Sequence, residues 1–416
     1  MKAKYLFAAS LPRSGTKLYT YALSVNPKIL IAPNPNIELF RFLKKEYNKL
    51  IKTKNNLKNF ETSYMLEDYY GNNNSKKLNL LKFILNSNLN IKFNDNFKQF
   101  RQKSFERSKL EIRDLSKYMK KISGSNYKDI LKKQIQIINK RKKNPSEWQG
   151  FSESWIIEFF PAILRSFPNA KFLVNIRDPR AVIYANQNIP NKTRIAQILS
   201  YSRHFRKQIA LTSYFLKSKM FKNKIHVFSY ESLIYDPKKT IRKICNFLNV
   251  NFDKRSTDYK NIYDFQNKGK FDGDSTSLKK LFNFDKERTY HWKRKIDSNI
   301  LKYIEFLCYH ELKACGYKLF FNLENLIKEN KKKIEKLFVN DLSRKVKWRS
   351  DSSNINDEIE FEFTRHSKNR IKDKKDIQKY FLTKEFYDLK LNKKKINISE
   401  QIKSYNSDLN YLKKIG

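Results

Sequence analysis

Apolar and polar positions along this chain follow two different periods, and the switch between them is the first structural signal. Short apolar runs at 5–9, 172–176 and 225–228 have strand length, and a helix-like pattern follows each within a few residues. Strands interleaved with helices in this way predict an α/β protein built on a parallel sheet. The clearest helix follows the third run. Asp236 is placed to cap it, Pro237 suits its first position, and Ile241, Ile244, Cys245 and Leu248 fall on one face. Another helix is expected from Asp297, with Ile300, Leu301, Ile304, Leu307 and Cys308 as its apolar stripe and Gly316 as a left-handed cap.

Between about residues 42 and 146 the pattern turns Lys- and Asn-rich, with scattered aromatic and aliphatic positions. This reads as several basic helices inserted after the first β-α unit. All ten prolines lie at or before Pro237, and residues 321–416 are densely charged and carry no motif. The expected organisation is therefore a domain over 1–320, with the insertion at about 42–146, and a C-terminal extension over 321–416.

Composition changes this picture in three ways. At 416 residues the chain is long enough for a full core, and its three cysteines, Cys245, Cys308 and Cys315, have no short pair spacing, so they are expected as core thiols in a reducing compartment. No apolar run reaches the length of a membrane span, and the opening residues lack a leader's cleavage pattern, which leads to the expectation of a cytoplasmic protein. The net charge of +47 has two competing sources, a polyanionic partner or a compositional bias toward Lys, Asn, Ile, Phe and Tyr.

The strongest candidate chemistry is SLPRSGTKLYTYAL at 10–23, where an apolar strand runs into a turn and a helix opens near Thr16. Gly15 lets the backbone approach an anion, and the amides that follow point from a helix N-terminus, where the dipole favours negative charge. Ser14, Thr16, Lys17 and Leu18 complete the candidate cradle, with Arg13 adding a permanent positive charge. The Walker-type loop needs an earlier glycine and a Lys-Ser/Thr pair directly after the last one; both are missing here, which disfavours an ATPase.

LPRSGTKL resembles the 5′-phosphosulfate loop of the sulfotransferase superfamily. FPNAKFLVNIRDPRAVIYANQ at 167–187 resembles that superfamily's 3′-phosphate motif, especially in carbohydrate and bacterial members. HVFSYESLIYDPKKTIRKICNFL resembles a third family segment, and TYHWKRKI the end of the family's cofactor loop. The resemblance covers about residues 3–318 and implies a P-loop NTPase-like parallel sheet flanked by helices, with 3′-phosphoadenosine 5′-phosphosulfate as co-substrate and no metal. It assigns Arg13 to the bridging oxygen, Arg177 to the 3′-phosphate and Tyr230 to the adenine. It also suggests Lys286 and Arg288, or Ser275 and Ser277, as residues that fold over the nucleotide. The family's partner serine for Arg177 falls here on Ala185, leaving Asn186, Gln187 or Arg194 as substitutes, and Ser152 stands where some relatives place a catalytic lysine.

The acceptor's base is left open between Glu38 and Glu153. The five histidines are scattered, no residues show metal-ligand spacing, and His204 is expected at a partly buried surface. The expected reaction is sulfuryl transfer to a hydroxyl of a carbohydrate or small metabolite. Nucleic acid is not expected as a partner, and oligomeric state is open. Two alternatives remain at this point: a nucleotide-dependent kinase or NTPase on the same superfold, and a non-catalytic basic polyanion-binding protein.

Overall fold

The computed structural model describes residues 4–51, 69–70, 75–187, 194–273, 283–322, 346–348, 351–353, 355–367 and 370–415. The chain divides into two compact units. The first comprises Met1–Leu66, Asn79–Ile176 and Lys222–Asp285; the second comprises Glu67–Leu78, Arg177–Phe221 and Lys286–Gly416.

The first unit is built on five parallel strands, β1 (Lys4–Ser10), β2 (Ile29–Pro33), β3 (Trp148–Ser154), β4 (Lys171–Ile176) and β5 (Ile225–Ser229), in the order β2-β3-β1-β4-β5. This is the α/β sheet that the alternation predicted, with the P-loop NTPase-like arrangement and flanking helices that the resemblance implied. The three expected runs are β1, β4 and β5. The two strands missed, β2 and β3, occupy the side of the sheet fed by the insertion, where Trp148–Ser154 reads WQGFSES and is too polar to register as a strand. Each residue of that strand is nevertheless buried, because helices cover the sheet.

Along β1 the pleat sends Leu6 and Ala8 to one face and Phe7 to the other. Leu6 and Ala8 join a core with Leu18, Tyr19 and Leu23 of the helix Thr16–Ser24 and with Ile241, Ile244 and Leu248 of the helix Pro237–Leu248. Phe7 packs edge-on against Phe151, with centroids 5.3 Å apart, and stacks on Phe172 at 6.1 Å. Gly150 lies opposite Leu6, and a Cβ there would fall 1.8 Å from the Leu6 carbonyl oxygen, so the strand pair closes only on glycine. The predicted helix after β5 is present as Pro237–Leu248, with the Asp236 side chain accepting from the Lys239 amide at 2.9 Å.

Helices are present in the insertion, including Phe97–Glu111 and Tyr127–Ile138. Aromatic contacts help hold them together: Phe93 meets Phe97, Phe100 and Tyr127 at centroid distances of 4.5–5.2 Å, beside ion pairs such as Arg141 with Asp114 at 2.8 Å and Lys45 with Asp95 at 3.0 Å.

The second unit holds the helices Pro179–Gln187, Arg194–Lys217, Ser298–Leu307 and Tyr309–Cys315, together with Ile355–His366, Lys374–Phe381, Lys384–Leu391 and Lys403–Ile415. The helix expected from Asp297 to Gly316 is broken at Cys308. There the Leu307 carbonyl accepts from Arg206 Nε at 2.8 Å, which offers it a partner outside the helix ladder. Gly316 caps the second piece at φ 81°. All three cysteines are buried and none is in a disulfide. His204, expected near the surface, is buried on the helix Arg194–Lys217. A buried network of Arg203, Arg206 and Arg365 with Glu311, Glu358 and Glu362 joins that helix to Tyr309–Cys315 and Ile355–His366.

Candidate active site

The order β2-β3-β1-β4-β5 reverses direction at β1, since the chain leaves β1 toward β2 on one side and later builds β4 on the other. A parallel sheet opens a crevice at the carboxyl ends of its strands at such a point. The loop at 11–15 leaves β1 there.

The loop's path is held by specific bonds. The Ser14 amide donates to the Leu11 carbonyl at 3.2 Å, the Asn175 side-chain amide on β4 donates to the Ser14 carbonyl at 2.6 Å, and Ser10 and Thr16 share a hydroxyl hydrogen bond at 2.9 Å. Gly15 takes φ 72° and ψ 30° and stands at the N-cap of the helix Thr16–Ser24. A glycine supplies no capping side chain, so the amides of the first turn keep their capacity for an incoming acceptor. The Ser14 hydroxyl is fully buried and has no hydrogen-bond partner among the described residues. Arg13, half-buried, is held at φ 67°, a conformation that costs an L-residue about 1–2 kcal/mol. Together these features suit an anion seated at a helix N-terminus.

Tyr230 opens the short helix Tyr230–Tyr235 after β5, and Ser229 caps that helix by accepting from the Ser232 amide at 3.0 Å. Its ring covers Gly15 so closely that a Cβ on the glycine would lie 2.5 Å from Tyr230 Cε2. Gly15→Ala is therefore expected to meet both a left-handed backbone and the ring, and to lower stability by at least about 1–2 kcal/mol in chemical denaturation.

The two candidate bases have different surroundings. Glu153, at the end of β3 beside Ala9 of β1, is fully buried, and its Oε2 accepts from the Asn36 amide at 3.0 Å. Its Oε1 has no hydrogen-bond partner among the described residues. Burial pushes its carboxyl up to about 8, against the opposing pull of Arg107 and the Asn36 amide. Glu38, in the first turn of the helix Ile37–Leu50, is instead paired with Arg41 at 2.6 Å. Ser152 accepts a hydrogen bond from the Tyr19 hydroxyl.

Sequence reasoning missed the asparagines of this unit. Asn34 accepts from the amide and hydroxyl of Ser154 at 3.0 and 3.1 Å, Asn36 holds Glu153, and Asn175 anchors the loop. Asn175 left a legible signal, as a lone polar residue inside the apolar run FLVNI.

In the second unit Arg177 is nearly buried and its Nη2 donates to the Arg288 carbonyl at 3.3 Å. Arg180 is fully buried between Asp178, at 2.7 Å, and Glu305, at 2.5 Å. Ala185 is half-buried on the helix Pro179–Gln187. Ser275 and Ser277, and the side chains of Asn186, Gln187 and Arg194, lie outside the described residues. Among the described residues there is no helix long and apolar enough to cross a membrane and no group of three His, Cys, Asp or Glu arranged to hold a metal ion.

No curated protein matches the chain. The chain is similar to the sulfotransferase domain from the curacin biosynthetic pathway, at 14% identity over 76% of this chain and 99% of that one, with a TM-score of 0.41. It is also similar to the sulfotransferase domain of the Synechococcus PCC 7002 olefin synthase, at 16% identity over 71% and 89% of the two chains, with a TM-score of 0.39. For retinol dehydratase in a complex with retinol and PAP the values are 15% identity, 77% and 84% coverage and a TM-score of 0.35. At these scores the likenesses carry no weight of their own. The decisive match is to the family model of the sulfotransferases over residues 6–254, more than half of the chain and inclusive of the loop, Glu153, Arg177 and Tyr230, and the chain therefore belongs to the sulfotransferase family.

Proposed function

We propose that this sulfotransferase takes its sulfuryl group from 3′-phosphoadenosine 5′-phosphosulfate and passes it to a hydroxyl of a carbohydrate or small metabolite. The observation that carries the donor half is the loop at 11–15. A left-handed glycine, the uncapped first-turn amides and the buried Ser14 hydroxyl converge at the sheet's switch point. In this reading the amides of Gly15, Thr16, Lys17 and Leu18 take the 5′-phosphosulfate, and Arg177 takes the 3′-phosphate that distinguishes the donor from ATP. Tyr230 stands beside the adenine. The acceptor half rests on the resemblance of RDPRAV to carbohydrate-type members.

The reaction breaks the bond between sulfur and the bridging phosphate oxygen and forms a bond between sulfur and the acceptor oxygen. Charge grows on the leaving oxygen, where Arg13 offers a guanidinium that stays protonated at any working pH. The acceptor's proton passes to the Glu153 carboxylate. Glu153 is preferred to Glu38 because it carries no ion pair among the described residues and because burial brings its carboxyl into the range in which a base works near neutral pH.

Thermal shift tests the donor. Excess 3′-phosphoadenosine 5′-phosphate is expected to raise the melting temperature by several degrees, corresponding to roughly 3 kcal/mol at a hundredfold excess over Kd. ATP with magnesium and an oligonucleotide should each give a much smaller rise; equal rises for all three would overturn the assignment.

A further inference from the structure

The C-terminal helix Lys403–Ile415 belongs to the same compact unit as the RDPRAV segment, more than two hundred residues before it. Tyr405 on that helix is fully buried, and its hydroxyl donates to Asp178 Oδ2 at 2.7 Å. The same hydroxyl accepts from the Trp292 indole at 3.2 Å, and that indole also donates to the Thr289 carbonyl at 3.1 Å. The other side of the Asp178 carboxylate is occupied by Arg180, through Nε at 2.9 Å to Oδ1 and Nη2 at 2.7 Å to Oδ2. Arg180 in turn lies over the Trp292 ring at 4.7 Å.

Arg177 is held at two points of this cluster. Its backbone runs directly into Asp178, and its guanidinium donates to the carbonyl of Arg288, one residue before Thr289. Tyr405 hydrogen-bonds to both segments at once, to Asp178 on one side and to the Trp292 indole on the other, beside the Arg180 side chain that also spans them. A side chain set by both its backbone and a fixed carbonyl loses little freedom when it meets a phosphate, and that preorganisation raises affinity.

We propose that Tyr405 is a positioning residue for Arg177, so that the C-terminal segment helps set recognition of the donor's 3′-phosphate. This rests on the donor reading above. Its signature is selective: loss of the hydroxyl weakens binding of the 3′-phosphate while the chemical step is kept.

The test measures, on the full chain by titration calorimetry, the ratio of Kd for adenosine 5′-phosphate to Kd for 3′-phosphoadenosine 5′-phosphate. Steady-state kinetics with the phosphosulfate donor accompany it. Wild type is expected to favour the bisphosphate, and Arg177→Ala to lose that preference. Tyr405→Phe keeps the ring that packs edge-on to Tyr317 and removes only the hydroxyl. It is expected to lower the preference roughly tenfold and to raise the donor KM similarly, with kcat within about twofold. Asn406→Ala is the structural control. Asn406 ties the same helix to the Gly316 carbonyl at 2.9 Å without touching Asp178, so its loss should lower the melting temperature and leave the preference intact.

Tyr405→Phe with a wild-type ratio would overturn the inference while the donor reading stands, and so would Asn406→Ala lowering the ratio as much as Tyr405→Phe. A wild type with no preference would overturn both. Should Tyr405→Phe not fold, Trp292→Phe removes the other hydrogen bond at the same hydroxyl. It is expected to lower the ratio in the same direction, and an unchanged ratio there would equally count against the proposal.

Discussion

Replacing Glu153 by glutamine is expected to lower kcat by two to four powers of ten, the usual contribution of a positioned general base. The substitution keeps shape and burial and removes only the ability to ionise. In the wild type, burial sets the carboxyl at about 8, so kcat should climb with pH and level off above that value, whereas the slow residual rate of Glu153→Gln should lack this limb. Stability moves in the opposite direction. A carboxyl whose folded value is raised stabilises the fold fully below its ordinary value of about 4.5, and this contribution is lost as pH rises through about 8. The wild type should therefore lose on the order of a few kcal/mol between pH 5 and 9, and Glu153→Gln should lose much less. Chemical denaturation across that range, beside the rate profile, checks both signs. A variant with wild-type kcat and an unchanged pH limb would remove Glu153 from the mechanism and return the base to Glu38.

Arg13→Gly should cost two to three powers of ten in kcat, equivalent to about 3–4 kcal/mol of barrier. The choice of glycine makes the prediction sharper than alanine would. Arg13 is held at φ 67°, which glycine adopts without the Cβ penalty, so stability should stay level or rise by up to about 1 kcal/mol while activity collapses. A loss of activity without a loss of stability would assign the role of Arg13 to its side chain's chemistry rather than to the fold. Arg13→Lys keeps a charge but not the planar fork and should recover only part of the rate. Full activity in Arg13→Gly would show that the leaving oxygen is stabilised elsewhere, with Lys17 the next residue to test.

What was legible in the sequence follows from where the code is local. The strands at β1, β4 and β5 are continuous apolar runs because helices cover both faces, and the helix Pro237–Leu248 announces itself through its cap, its proline and its stripe. The loop at 11–15 is equally local: a glycine between a strand and a helix reads as an anion cradle from its immediate neighbours alone. β3 failed this test because Gln149, Gly150, Ser152, Glu153 and Ser154 look like a loop, and only the covering helices make that stretch a buried strand. Ranking Glu153 above Glu38 was equally out of reach, since each is one carboxylate in one sequence, both are buried in the fold, and what separates them is the Arg41 partner that Glu38 has and Glu153 lacks among the described residues.

The chain's own order of residues thus determined the α/β class, the glycine loop that leaves β1 and the arginine that follows β4, because periodicity, caps and turn glycines act over a few residues. The tertiary structure decided what depends on distant partners. Tyr230 closes on Gly15, Asn36 holds Glu153, and Tyr405 reaches Asp178 across more than two hundred residues. Burial and hydrogen bonding of that kind arise when segments far apart in the chain share one dry space, and no local pattern encodes which segments those will be.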